Sequence, residues 1–543
     1  MLRFLQENVI VSRKRFLLPI VACALGLLAD CGSGTIKPTP PPSGSFGDGN
    51  LNGTYVFSVN GSDINGNLFA LAGTFTADGK GGISGGIIDL NNSGRGPSLA
   101  QSLTQGGYSV GVDGRPASTP GLLNLRTNST DYSFDYVLSS SQHGLITEFD
   151  SNGSGSGTLD LQSDVVQSNL AGQSFAFNLT GTFGLDTGIC GFITGIPILV
   201  PVSTVGAFTL DGSGNITSGV QDFNYNCSSS GGTNLQISSG SVSLASNPGT
   251  ATLVSFAAFQ FDVFPVDTTH LKFIETDSLP IMAGDVFLQS SDVPSGNNVF
   301  TLAGFDSVNA GPFTAAGILD SDGSGNIKSD SIEDINDAGA TSTISGTITG
   351  SYTGLNQGRS VLSLTGFDNG TGGQACSSCQ FAAYPSIGGL QLLEIDDGGM
   401  TTGVAYSQTA TSIASSQGFG MNLSGSNSSG EEDDIAEFVM NNTALSGLID
   451  FNDQGATSFA QRFSATYATD ATAPGRGTVT SNSMNLVTYV VDGSTVVFVE
   501  VDKNQVGLGS FHSQTASAKS TRVAFHFAMS EFARLRLQGR DHR

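Results

Sequence analysis

Four times along the chain a frame of nineteen residues returns without an insertion: LITEFDSNGSGSGTLDLQS from residue 145, KFIETDSLPIMAGDVFLQS from 272, QLLEIDDGGMTTGVAYSQT from 391 and VFVEVDKNQVGLGSFHSQT from 497. Each copy holds Glu, Asp two later, Gly nine later and Gln fourteen later. A second mark opens each copy: Phe57, Phe177, Phe300 or Met421, followed four residues on by Gly61, Gly181, Gly304 or Gly425, at intervals of about 120 residues. A period of that size is a small domain repeated, and it is too long for a propeller blade. The chain therefore reads as a leader (1–30), a Pro/Gly/Ser linker (31–49), four units (50–165, 170–291, 296–409 and 416–515) and a tail (516–543).

Between the two marks lie FTADGKGGISGGIIDLN, FTLDGSGNITSGVQDFN and LDSDGSGNIKSDSIEDIN; the fourth copy, FVMNNTALSGLIDFN, lacks the Asp-Gly turn but keeps the Asp-x-Asn ending. Asp-Gly and Gly-rich turns between runs of Phe, Ile, Val and Thr supply the positive φ that tight β-connections need. The first unit divides into YVFSVNG, LFALAGTFTA, ISGGIIDLN, GGYSVGV, GLLNLRT, YSFDYVLSS, LITEFD and TLDLQS, eight short strands with no helix among them. Such a unit is all-β and antiparallel. An up-and-down barrel, which leaves no edge unpaired, is the expected form, with a two-sheet sandwich as the alternative. The stretch GTFTADGKGGISGGIIDLN resembles the meander hairpins of avidin- and lipocalin-type barrels over some twenty residues. The resemblance implies a meander and carries no biotin chemistry.

Composition supports globular β-units. Charged residues are only 12% and glycine is abundant at 73, yet 38% of residues are apolar, 35 of them Phe, which supplies the area a disordered chain lacks. A net charge of −25 argues against nucleic acid, whose phosphates are bound by Lys and Arg.

Arg13, Lys14 and Arg15 precede the apolar run from Phe16 to Ala29, the charge and length of a secretory signal. The run ends Leu28-Ala29-Asp30-Cys31, which resembles the lipobox of bacterial lipoproteins, although Asp30 stands where that pattern has a small residue. The resemblance implies lipidation of Cys31, export to the periplasm, outer membrane or cell surface, and attachment to a membrane through the N-terminal lipid. GSGTIKPTPPPSGSFGDGN then reads as an extended spacer. Export permits disulfides. Cys190 and Cys227 fall in connections at one end of the second unit and are expected to pair, while Cys376 and Cys379 in QACSSCQ read as a loop clip, since QFAAYP continues as strand rather than the helix a redox C-x-x-C requires.

The glutamates of the frame share a strand face with apolar neighbours and so should point inward: Glu148 with Ile146, Glu275 with Phe273, Glu394 with Leu392 and Glu500 with Phe498. In an alternating meander the Asp-x-Asn pairs close their strand at the glutamate end, whereas Arg115, Arg359 and Arg476, in Gly-Arg turns, lie at the other. Each unit would then carry an oxygen-rich rim: Glu148, Asp150, Asp89 and Asn91; Glu275, Asp277, Asp222 and Asn224; Glu394, Asp396, Asp334 and Asn336; Glu500, Asp502, Asp450 and Asn452. Such a rim is a candidate site for calcium or a sugar. The competing account is structural, with strand-end oxygens satisfying loop amides. No cofactor is otherwise implied.

Glu and Asp two apart on one face have a separation glycosidases use, but enzymes seldom keep four identical sites, the chain has no Trp, and His143, His270, His512, His526 and His542 occupy no repeated position. The expected role is therefore display rather than catalysis: an exported envelope protein whose repeats bind cell-wall polysaccharide or an envelope protein, or act as a spacer. A carbohydrate-active enzyme and a lipocalin-like carrier are the alternatives. The tail from Ala516, with Lys519, Arg522, Arg534, Arg536, Arg540 and Arg543, is basic and reads as a terminal appendage.

Overall fold

The structure is a computed structural model that describes residues 38–185, 198–225 and 232–516, apart from positions 279, 307, 310, 355, 371–374 and 397–398. It is β throughout, with one helical turn at Gln167–Leu170 and two short 3-10 turns. Four antiparallel sheets of eight or nine strands follow one another along the chain. The fourth closes as an eight-stranded barrel, and the third closes through pairing of Gly311–Ser321 with Asn326–Asp337. The first two curl, their remaining openings crossed by single bridges, Gly82 to Gly107 and Asn215 to Ser241. The barrel expectation holds, and the sandwich alternative is set aside.

Each curl is built on the two marks seen in the sequence. The first strand pairs with both the second and the last, as Asn52–Asp63 does with Leu68–Asp78 and Gly153–Leu161. Backbones there approach so closely that a Cβ on Gly157, Gly284, Gly403 or Gly509 would lie 1.7, 2.1, 1.8 or 2.1 Å from a carbonyl oxygen of the first strand. This explains the recurring glycine nine residues after the glutamate. The Asp-Gly turns are made alike: Asp78, Asp211 and Asp322 each accept two backbone N–H groups of their own turn through Oδ1. The fourth unit makes a shorter turn through Asn442 at φ 55°.

Strand four departs from expectation. It was placed at GGYSVGV, but pairing runs through Gly96–Ser102, which joins strand three, and Gln105–Gly107, which joins strand five. The first piece is largely exposed and polar, so it shows no apolar alternation to read. In the fourth unit both pieces form one strand, Ala456–Thr469.

Every barrel is filled by its own cluster, such as Tyr55, Phe57, Phe75, Phe134 and Tyr136 in the first. Other apolar clusters lie between barrels. Val56 and Ala72 pack against Phe264 and Ile281; Val205 and Ala207 against Tyr384 and Leu393; Val299 and Phe305 against Val497 and Leu508; and Val137 and Leu145 against Ile435. First meets second, second meets third, third meets fourth, and fourth meets first. The four units form a closed ring rather than a string. The described end of the linker is not a free spacer either: Phe46 is buried in the first core and Ser43 donates to the Gln514 carbonyl.

Candidate functional site

Cross-strand register fixes the direction of the four glutamates. Glu148 pairs with Phe134, Glu275 with Phe261, Glu394 with Phe381 and Glu500 with Leu486, each a residue of its barrel core. All four side chains are buried inward as expected. Glu275 Oε1 accepts the Gln260 N–H at 3.1 Å, and Glu394 accepts from Asn369 Nδ2 at 3.1 Å and from Thr401 N and Oγ1 at 3.0 Å. Burial, reinforced by the Asp two residues on, pushes Glu148, Glu394 and Glu500 well above the usual carboxylate range and Glu275 up to about 9. The companion aspartates cap strand ends: Asp150 accepts from Asn152 N, Asp396 from Gln380 N and Asp502 from Asn485 N, each at 2.7 Å.

The Asp-x-Asn pairs do not complete a rim with the glutamate of their own unit. They reach the next unit. Asn91 Nδ2 donates to the Glu275 and Asp277 carbonyls at 2.9 and 2.6 Å, and Asn224 to those of Glu394 and Gly399 at 2.9 and 3.1 Å. Asn336 donates to the carbonyls of Glu500, Asp502 and Gln505, and Asn452 closes the circuit on Glu148 and Gly153 at 2.6 and 2.8 Å. The rim expected within one unit is thus divided between two, and its amides are spent on backbone carbonyls. Among the described residues no group of three or more His, Cys, Asp or Glu is arranged to hold a metal ion.

Three of the aspartates of the same pairs meet arginines, which an alternating meander places at the far end of a unit. Arg359 grips Asp222 through Nε at 2.6 Å and Nη2 at 2.8 Å, with Tyr384 adding its hydroxyl at 2.5 Å. Arg476 and Tyr489 grip Asp334 in the same way, with Arg476 Nε and Nη2 at 2.7 and 2.8 Å. Arg115 bonds Asp450 across the closing contact, its guanidinium buried beside the Phe459 ring. The alternating meander puts these partners at opposite ends of one unit, and a neighbour brings them together. The signal was available in the recurrence of the Arg in three units and of the Asp in all four.

The last residue of the frame docks as well. Gln162 Nε2 donates to the Pro265 carbonyl at 2.7 Å, Gln408 to Val490 at 2.8 Å and Gln514 to Leu138 at 3.1 Å, equivalent positions on the following unit. Gln289 instead joins Ser386 by a backbone bridge.

A further cluster had no sequence signature. His143 Nδ1 meets Asp160 Oδ1 at 2.8 Å and its ring lies 5.3 Å from that of His512; Lys272 reaches Thr158, Asp285 and Asp160 at 2.9, 3.1 and 3.7 Å; His270 bonds Asp285 at 2.7 Å. Units one, two and four supply these side chains, all buried. Burial acts to raise Asp160, but the His143 and Lys272 charges prevail and hold it well below the usual range, whereas burial beside His143 takes His512 down to about 3. Lys272 faces away from its own barrel and into a neighbour.

Cys376 and Cys379 are joined, their Cα atoms 5.7 Å apart. Cys31, Cys190, Cys227, His526, His542 and the basic tail beyond Ala516 lie outside the described residues. Among those described, no helix is long and apolar enough to cross a membrane.

No family model and no curated protein matches the chain. Among solved structures, a Trp-176-Ala mutant of transferrin binding protein B from Haemophilus parasuis Hp5 aligns at 9% identity over 69% of this chain and 83% of its own, with a TM-score of 0.18. The intact Ap-TbpB, with N and C lobes, aligns at 10% identity over 85% and 95%, with a TM-score of 0.17. Kievitone hydratase from Nectria haematococca aligns at 10% identity over 89% and 95%, with a TM-score of 0.12. Likeness at these scores carries no functional argument.

Proposed function

We infer that the chain is an exported envelope protein, anchored through lipid on Cys31, whose ring serves as a rigid scaffold for binding cell-wall polysaccharide or another envelope protein. The observation that carries this reading is the direction of the repeated residues: Asp-x-Asn, Arg and Gln are consumed by docking units to one another, and the Glu side chains are buried inside their own barrels. What remains outward differs between units, as in the exposed pieces Gly96–Ser102 and Ala340–Ser345. A spacer is less well served, because a closed ring gives up length. A glycosidase is less well served too, because the candidate glutamates are buried inside their barrels and their neighbouring aspartates are committed to strand ends.

The test is saturable retention of the full chain on isolated cell-wall polysaccharide and on envelope protein fractions, with exchange of the exposed 97–101 and 341–345 stretches as variants. Binding that these exchanges weaken is the expected result. Absence of retention on every fraction rejects the scaffold reading, and glycoside turnover abolished by Glu148→Gln would establish the enzyme instead. Palmitate labelling lost in Cys31→Ser is expected for the anchor; an unlabelled wild type rejects it.

A further inference from the structure

The four contacts of the ring are built on one plan and finished in two ways. Between units two and three, and between three and four, a buried aspartate is gripped by Arg and Tyr. At the first contact, Pro248 precedes Gly249 where Arg359 precedes Ser360, and Phe264 stands where Tyr384 and Tyr489 stand. Asp89 therefore has no guanidinium to meet. It lies fully buried beside Asp262, which is itself half-buried, and its Oδ2 has no other hydrogen-bond partner among the described residues. The position of Asp262, one residue before the partner of the frame's glutamate, is Ala382 in the third unit and Val487 in the fourth, but Asp135 in the first. Asp135 is also fully buried and contacts Asp450 at the closing contact. Both flanks of the first unit thus set carboxyl against carboxyl, and neither flank of the third does.

Two adjacent carboxylates at a largely buried contact repel, whereas a carboxylic acid donating to a carboxylate attracts. We propose that the first unit is a proton-latched segment of the ring, held on one side by a proton shared between Asp89 and Asp262 and on the other by one shared between Asp135 and Asp450, so that deprotonation releases it from both neighbours while units two to four stay docked.

The other groups facing each pair are consistent with this arrangement. Beside Asp89 and Asp262, the Glu275 and Asp277 carbonyls of unit two receive Asn91. Around Asp135 and Asp450 stand Arg115, Asp113, Glu437 and Tyr136. Arg115 bonds Asp450 through Nη2. Burial, together with Asp262, takes Asp89 up to about 8 despite the Ala100 N–H it accepts, and burial next to Asp450 takes Asp135 well above the usual range. A raised folded-state value means that the docked state holds protons the separated unit sheds. The stabilisation is complete below the ordinary carboxylate range and is lost as pH rises through the folded value.

At each contact a backbone N–H from the end of one unit donates to the next and reports on it: Ser163 N to Val266 O (first to second), Ser290 N to Pro385 O (second to third), Thr409 N to Val491 O (third to fourth) and Thr515 N to Ser139 O (fourth to first). Amide hydrogen exchange of the full chain at pH 5.5 and pH 9, corrected for intrinsic rates, should show at least tenfold loss of protection at Ser163 and Thr515 and none at Ser290 and Thr409. Equal loss at all four, or at none, overturns the proposal. The double variant Asp135→Asn, Asp262→Asn replaces one carboxyl of each pair by an amide donor that cannot titrate, and it should keep Ser163 and Thr515 protected at pH 9. A variant as labile there as wild type also overturns the proposal, and the wild-type comparison decides alone if the variant does not fold.

Discussion

At Ala100 and Ala460 the backbone sits at φ 50° and 55°, left-handed conformations that cost a residue with a Cβ, and in each case the N–H is held by the aspartate of the preceding strand, Asp89 or Asp450. Ala100→Gly and Ala460→Gly are each expected to stabilise the fold by about 0.5–1 kcal/mol, read as a higher urea midpoint. The opposite holds at Gly403, where a Cβ would meet the Thr301 carbonyl at 1.8 Å; Gly403→Ala should cost about 3 kcal/mol in the same assay. Glu275 supplies a pH test. Its folded value of about 9 stands above the unfolded one, so its contribution is full at acid pH and is lost as pH rises towards 9. Glu275→Gln does not titrate, and its melting temperature relative to wild type should climb steadily from pH 5 to pH 9. A constant difference would show that Glu275 is ionised throughout. The inward direction of Glu275 was legible because a strand alternates faces. Its pairing with the Gln260 amide was not, because that partner lies on the strand alongside.

Strands and turns followed from alternation and from Asp-Gly chemistry, and the miss at strand four shows the limit. Gly96–Ser102 touches the barrel on one side only, so it lacks the apolar rhythm that marks its neighbours. Contacts between units depend on elements too, and the Arg359, Tyr384 and Asp222 group tests their strength. Asp222 is fully buried, so Arg359→Met strands a carboxylate without its cation and should cost about 3–5 kcal/mol. Adding Asp222→Asn should recover part of that loss, and a double-mutant cycle measures the coupling. Purely additive losses would mean that the two residues act separately. Sequence spacing revealed that Arg359, Arg476 and the Asp-x-Asn pairs recur. It gave the distance between them only within a unit, where they are far apart.

As a whole the molecule is a set of head-to-tail contacts that closes, four related units arranged as a cyclic oligomer would be but on one chain. Solution scattering should return a radius of gyration near 24 Å, the value for a compact chain of this length, and a clearly larger one would mean that the units string out. Four antiparallel β-units, their barrel form and the inward glutamates were determined by sequence alone, because alternation with period two and turn residues at fixed offsets act between near neighbours. Closure of the ring, the transfer of each Asp-x-Asn to the following unit and the burial of His143, Asp160 and Lys272 together were decided only by tertiary structure. Such contacts join surfaces of complete units, and the match between one barrel's outer face and the next leaves no fixed spacing along the chain.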